Sequence, residues 1–97
     1  MIQFLVASSA SWCVYLLECE NGDLYTGVTT DLKRRFRQHA GGMGGRFTRA
    51  NRPVQVVYRE VCGTQSQAKR REAQIKAWTR RQKLALIVSD VNALRKR

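Results

Sequence analysis

Two segments rich in aromatic and β-branched residues stand near the start of the chain, and Asn21-Gly22 separates them. Trp12–Glu18 and Leu24–Val28 have the composition of β-strands. Asn-Gly is a residue pair that favours a tight turn between two antiparallel strands. The sequence therefore predicts a β-hairpin, which any fold for this chain has to contain.

Helix signals follow the hairpin, with one more strand among them. Thr30 or Asp31 can cap a first helix, which the glycine-rich segment 41–45 ends. The segment 64–67 has the pattern of a capping box and predicts the start of a second helix, and Thr79 can cap a third. The third helix has apolar residues spaced for one face, at Leu84, Ile87, Val88 and Val91. The predicted elements are strands at 12–19, 23–28 and 54–60 and helices at 31–40, 65–78 and 80–92. This order, ββαβαα with a tight first hairpin, predicts an α+β domain.

Length and composition indicate one small domain. The chain has 97 residues, of which 43% are hydrophobic, so we expect a single domain over residues 1–97 with its core at about 11–90. The apolar segment Met1–Ala7 is shorter than the ~18 residues that span a bilayer. No basic residue precedes it, as one would in a secretory signal. We therefore expect a soluble, cytoplasmic protein that has no membrane partner.

The three cysteines do not indicate a disulfide framework or a zinc site. Cys13, Cys19 and Cys62 are odd in number and lack Cys-x-x-Cys spacing. We expect them to be reduced and to act as small hydrophobic residues. No disulfide-linked partner is expected.

Charge is divided unequally along the chain. Residues 1–30 contain three acids and no Lys or Arg, whereas residues 31–97 contain four acids and all 18 basic residues, so their formal charges are −3 and +14. An electric field this one-sided indicates a polyanionic partner. Nucleic acid fits better than a membrane surface, because a membrane favours a helix with one basic face, whereas here arginines also occupy a predicted loop. The predicted nucleic-acid-binding residues are Arg34, Arg46, Arg49, Arg52 and Lys69.

The first predicted helix places two polar residues beside its apolar face. At about 100° per residue, Leu32, Phe36 and His39 lie on one stripe, and Arg35 lies at its edge, one turn before His39. Two interpretations are open at this point. Arg35 and His39 either belong to a functional site or extend past the core boundary toward solvent.

The second predicted helix carries an acid in its apolar stripe. Glu72 lies between Ala68 and Ile75 and is the only acid in residues 61–89. One interpretation is an ion pair with Lys76, four residues further along the helix. The other is a ligand for one oxygen-preferring ion such as Mg²⁺, which keeps most of its waters.

The hairpin carries two tyrosines, Tyr15 and Tyr25, which by themselves are typical packing residues. Together with Arg35, His39 and Glu72 they resemble the GIY-YIG nuclease superfamily. Val14-Tyr15-Leu16 and Tyr25-Thr26-Gly27 are loose forms of its two naming motifs, and Arg35 and His39 follow Tyr25 at the family's intervals of ten and then four residues. The resemblance is closest to the small single-domain bacterial branch, also called UPF0213.

The resemblance implies a fold, an activity and a set of roles. The fold is a three-stranded antiparallel sheet flanked by helices, and the activity is endonucleolytic hydrolysis of DNA, including structure-selective cleavage in repair or recombination, with one Mg²⁺ or Mn²⁺ ion. Glu72 would hold the ion and Arg35 would bind the scissile phosphate. Tyr15 or Tyr25 would act as general base or orient water, with His39 near it. A tyrosine base needs a pKa lowered from about 10 toward neutrality, which we expect Arg35 and the ion to favour.

One departure from the family supports an alternative function. Many relatives carry an Asn about a dozen residues after the metal-binding Glu, whereas residues 73–89 contain no Asn. The alternative is a non-catalytic module that binds DNA or RNA on a degenerate nuclease fold. DNA is expected ahead of RNA, although the charge fits both.

The register of the hairpin decides whether the two tyrosines can share a site. A two-residue turn pairs Glu20 with Asp23 and puts Tyr15 and Tyr25 on opposite faces of the sheet. A three-residue loop with Gly22 in the left-handed region pairs Cys19 with Asp23 and puts both rings on one face. We expect the second register, because a common active surface requires it.

Overall fold

The structure is a computed structural model that describes the backbone of residues 11–95 and the side chains of residues 11–90. Two predictions fall outside these ranges. One concerns the apolar segment Met1–Ala7, and the other the side chain of Val91 in the third helix. The elements are β1 (Trp12–Cys19), β2 (Leu24–Thr29), α1 (Leu32–Ala40), α2 (Arg46–Ala50), β3 (Pro53–Gly63), α3 (Gln65–Lys76) and α4 (Arg80–Arg95). No helix in the described part of the chain has the length and apolar character needed to cross a membrane.

The three strands form one antiparallel sheet in the order β2-β1-β3. The fold is therefore α+β, as predicted. β3 is longer than expected because it pairs along the whole of β1, from Trp12 opposite Gly63 to Cys19 opposite Pro53.

The hairpin adopts the three-residue loop. The Cys19 amide donates to the Asp23 carbonyl at 2.9 Å, and Gly22 has a φ of 88°, which is the left-handed conformation that the loop requires. Tyr15 lies opposite Gly27 and Leu17 lies opposite Tyr25. Residues that face one another in this way share a face of the sheet, so the predicted register is confirmed and both tyrosines lie on one side.

The other side of the sheet packs against α3 and α4. Val14 and Leu16 on β1 are fully buried against Ala68 and Ile75 on α3. The start of α3 is fixed by the predicted capping box, in which Thr64 accepts from the Gln67 amide and the Gln67 side chain accepts from the Thr64 amide. The sheet face that lacks these helices is therefore the one that carries the tyrosines.

An ion pair fixes α3 to β3. Arg71 Nε lies 3.0 Å from Glu60 Oε2, and the Tyr58 hydroxyl donates to Glu60 Oε1 at 2.6 Å. Arg71 precedes Glu72 on the helix, and its pairing holds that turn of α3 against the sheet.

Three expectations are wrong in detail. The segment 46–50 is the short helix α2 rather than a loop, because its side chains contact α1 and β2. The second helix ends at Lys76 rather than near Trp78. In α4, Leu84 and Val88 are exposed, whereas Leu86 and Ile87 pack against the core. Ile87 therefore packs as predicted, but Leu86 rather than Leu84 or Val88 packs with it.

Candidate active site

A chain of hydrogen bonds runs from β1 through α1 to α2. The Tyr15 hydroxyl lies 2.9 Å from His39 Nε2, and His39 Nδ1 lies 2.7 Å from Thr48 Oγ1. His39 and Thr48 are 0% exposed and Tyr15 is 1% exposed. Both ring nitrogens of His39 therefore have partners, which fix the orientation of the imidazole.

The direction of the Tyr15 ring depends on Gly27. The ring lies across β2, and a methyl group on Gly27 would overlap the Tyr15 hydroxyl. Glycine at this position lets the phenol cross the neighbouring strand and reach His39.

Tyr25 completes an aromatic cluster on the same face. Its ring centroid lies 4.9 Å from that of His39 and 6.4 Å from that of Tyr15. Phe47 on α2 stacks on Tyr25, with 5.8 Å between centroids and 24° between planes. Tyr25 is half-buried, so this tyrosine is the more accessible of the two.

Arg35 is held beside this cluster by two hydrogen bonds. Its Nη1 donates to Gln38 Oε1 at 3.0 Å, and its Nη2 donates to the Gly44 carbonyl at 3.1 Å. The second bond ties α1 to the glycine-rich loop. Arg35 is half-buried and is close enough for its charge to lower the pKa values of both Tyr15 and His39.

Burial dominates the protonation of the Tyr15–His39 pair. Desolvation lowers the pKa of His39 to about 4, with a smaller contribution from the Arg35 charge, so the imidazole is neutral at pH 7. Desolvation also raises the pKa of Tyr15 to about 12, and Arg35 offsets only part of this rise. Arg35 lowers the pKa of Tyr15, as expected, but burial outweighs it, so the net shift in the free protein is upward.

Glu72 lies on α3, where it pairs with Lys76. Its side chain is 16% exposed and its Oε2 lies 3.2 Å from Lys76 Nζ, whose side chain is 55% exposed. The ion pair that periodicity predicts does form. The charge of Glu72 also contributes to the raised pKa of Tyr15, so the carboxylate and the phenol are electrostatic neighbours. These two observations are compatible, because an exposed Lys can leave the pair at little cost.

The segment that carries the two tyrosines, the arginine, the histidine and the glutamate matches a known protein family. A family model described as the GIY-YIG catalytic domain matches residues 11–85, which include all five of these side chains. The chain belongs to the GIY-YIG family. This membership supports a nuclease-type function and a nucleic-acid substrate.

Individual GIY-YIG relatives agree with this assignment. A UPF0213 protein from Staphylococcus saprophyticus is 43% identical over 74 residues, which cover 76% of this chain and 90% of that protein. A UPF0213 protein from Desulfotalea psychrophila is 44% identical over 78 residues, or 79% and 71% of the two chains. The solution NMR structure of a UPF0213 protein from Bacillus halodurans has a TM-score of 0.52 and 38% identity, covering 80% of this chain and 83% of that one.

Glu72 is the carboxylate that would hold a metal ion in this candidate site. Within residues 11–90, no three His, Cys, Asp or Glu side chains come together as a metal cage. Mg²⁺ commonly uses one or two carboxylates with substrate phosphates and waters. The mostly buried carboxylate of Glu72 fits that mode of binding, in which the substrate supplies the remaining ligands.

Two of the predicted basic residues contact α1 or its N-cap. Arg52 Nη1 donates to the Ala40 carbonyl at 2.8 Å, and Arg34 Nε lies 4.0 Å from Asp31 Oδ2. All five predicted positions are exposed, namely Arg34, Arg46, Arg49, Arg52 and Lys69.

Sequence reasoning assigned no site role to Phe47 and Thr48, which contact the candidate site. Both lie on α2, and their roles depend on contacts with Tyr25 and His39, which are distant in sequence. The nearest sequence signal is the pair Thr48-Arg49, which resembles the same family but by itself indicates no contact.

Proposed function

We propose that this protein is a divalent-metal-dependent endonuclease that hydrolyses phosphodiester bonds in DNA. The observation that carries the proposal is the gathering of Tyr15, Tyr25, Arg35 and His39 on one face of the sheet, within electrostatic reach of Glu72. GIY-YIG membership supports the class of reaction.

Arg35 binds the scissile phosphate in this proposal. Its two hydrogen bonds to Gln38 and Gly44 hold the guanidinium in place before substrate arrives. A fixed cation stabilises the negative charge that grows on the phosphate without further reorganisation. Glu72 would hold the ion, which would stabilise charge on the phosphate and on the leaving oxygen.

The tyrosines orient or deprotonate the attacking water. Tyr15 is covered in the free protein and its pKa is about 12, so it is a neutral hydrogen-bonding group that positions His39. Tyr25 is half-buried and lies beside the same imidazole. Burial therefore favours Tyr25 for direct contact with water.

A second candidate is a nucleic-acid-binding module that does not cleave. The Glu72–Lys76 ion pair favours it, because Lys76 competes with a metal ion for the Glu72 carboxylate. The absence of Asn from residues 73–89 also agrees with a site that has lost activity.

Cleavage assays separate the two candidates. The protein is incubated with labelled duplex, flap, junction and RNA substrates, in Mg²⁺ or in EDTA. The nuclease proposal predicts Mg²⁺-dependent cleavage of at least one DNA substrate. Arg35→Ala should slow it by about 10²–10³-fold, as expected when one fixed charge is removed from a transition state.

Arg37→Ala is the matched control, because Arg37 is an exposed arginine on the same helix. It should retain cleavage at close to the native rate. Binding without cleavage of any DNA substrate would instead support the non-catalytic module.

A further inference from the structure

A groove lies next to the candidate active site, on the side of the hairpin loop. It has a volume of about 260 Å³ and is lined by Asp23, Leu24, Phe47, Arg80 and Lys83. It is smaller than the ~300–1,000 Å³ that sites for drug-sized ligands occupy. The groove therefore accommodates at most a single nucleotide and excludes a duplex.

Phe47 connects the groove to the catalytic cluster. Its ring stacks on Tyr25, yet the residue is 39% exposed and lines the groove. An exposed aromatic ring that is braced from behind by another ring is a suitable surface for a nucleobase.

Two cations lie on the opposite wall, at the start of α4. Arg80 Nη1 donates to the Gly22 carbonyl at 2.6 Å, which fixes it to the hairpin loop. Lys83 lies one turn further along the helix and also lines the groove. Asp23 contributes one negative charge, but its carboxylate already accepts from the Asn21 amide at 2.9 Å. The wall therefore has a net positive charge, which complements a phosphate.

We propose that this groove binds one unpaired nucleotide of the DNA strand, next to the cleaved bond, with its base stacked on Phe47 and its phosphate at Lys83 and Arg80. A base inside a duplex has both faces covered by its neighbours, so only an unpaired or frayed nucleotide can stack on Phe47. The inference rests on the proposed nuclease function for the position of the cleaved bond. It adds a preference for DNA that has an unpaired nucleotide at that point.

The test is an equilibrium binding measurement in EDTA, so that cleavage does not contribute. The probes are a short DNA duplex with an unpaired overhanging nucleotide, labelled there with a fluorescent adenine analogue, and the same duplex fully paired. The native protein should bind the overhang duplex more tightly and should change the fluorescence of the unpaired base.

Variants of the groove should remove this preference. Phe47→Ala should weaken binding of the overhang duplex about tenfold, as expected for the loss of one stacked base, and Phe47→Trp should retain it. Lys83→Ala should also weaken binding of the overhang duplex, and it leaves the stack of Phe47 on Tyr25 intact. Arg81→Ala is the matched control, since Arg81 is an exposed neighbour that does not line the groove, and it should retain the native preference for the overhang.

Equal affinity of the native protein for both probes, or native binding by Phe47→Ala, would overturn the inference. The outcomes also separate it from the proposed function. A protein that prefers the overhang and cleaves nothing would refute only the nuclease. One that cleaves DNA with no dependence on Phe47 would refute only the nucleotide groove.

Discussion

His39 links the stability of the protein to pH at the scale of a single residue. Its pKa is about 4 in the fold and about 6.5 in an unfolded chain. Because the unfolded state binds the proton more readily, the stabilisation is complete above about pH 6.5 and is lost as the pH falls toward 4. Urea denaturation should give a lower free energy of unfolding at pH 5 than at pH 7. The sequence contains one histidine, so a single imidazole NMR titration also reports the folded pKa, and a midpoint near 6.5 would contradict the account.

Thr48 is the positioning residue for that imidazole. Thr48→Val keeps the shape of the side chain but removes the hydroxyl 2.7 Å from His39 Nδ1. A buried nitrogen without a partner should lower the free energy of unfolding by about 1–3 kcal/mol and shift the imidazole NMR signals. Thr48→Ser keeps the hydroxyl and should restore both. A Val variant as stable as the native protein, with unchanged signals, would show that this hydrogen bond is unimportant.

A residue such as Thr48, whose role depends on a contact with another element, cannot be assigned a role from the sequence alone. Tyr15, Tyr25, Arg35, His39 and Glu72 can be found because family motifs have fixed spacing. The contacts of Thr48 with His39 and of Phe47 with Tyr25 cannot, because they join elements that are distant in sequence. The raised pKa of Tyr15 is not predictable from the sequence for the same reason, since the burial of Tyr15 depends on the packing of α1 and α2 over the sheet.

Helix α3 carries Glu72, and its capping box is the feature of that element that can be tested most directly. Thr64→Ala removes the side chain that accepts from the Gln67 amide and should lower the free energy of unfolding by about 1 kcal/mol. Ser66→Ala is the control in the first turn, because Ser66 is exposed and has no part in the cap. Equal denaturant midpoints for the two variants would contradict the importance of the cap.

The elements differ in how far local sequence determines them. The Asn21-Gly22 turn allows two registers, and only the need for a common active surface selects the three-residue loop. The cap of α3 is predictable because it depends on a few neighbouring residues. The five-residue helix α2 is not, because a helix that short is not stable in isolation. In α4, spacing indicates an apolar stripe but not which residues pack, since that depends on how the helix meets the core near Leu86.

The whole molecule carries a formal charge of +11, and its binding to nucleic acid should depend on this charge. The affinity for DNA should fall steeply with salt, because a protein that neutralises phosphates releases their counterions. The exposed Arg46 and Arg49 lie on α2, beside Thr48 of the site. The double variant Arg46→Ala/Arg49→Ala should reduce the slope of log affinity against log salt by about 1 for each phosphate that the variant no longer neutralises.

Lys33→Ala is the control for this measurement, because Lys33 is exposed on α1 and is not among the residues assigned to DNA. It should leave the slope unchanged. An affinity that does not vary between low and physiological salt would contradict the assignment of the basic surface.

The central claim is that Glu72 holds the catalytic ion, and single-turnover cleavage of a labelled DNA substrate in Mg²⁺ tests it most directly. Glu72→Gln keeps the shape of the side chain but loses the charge that binds a hard cation. Lys76→Gln removes the other half of the 3.2 Å ion pair and serves as the matched control. We expect Glu72→Gln to abolish cleavage while DNA binding stays close to native, and we expect Lys76→Gln to retain cleavage. Undiminished cleavage by Glu72→Gln would show that Glu72 serves only as the partner of Lys76.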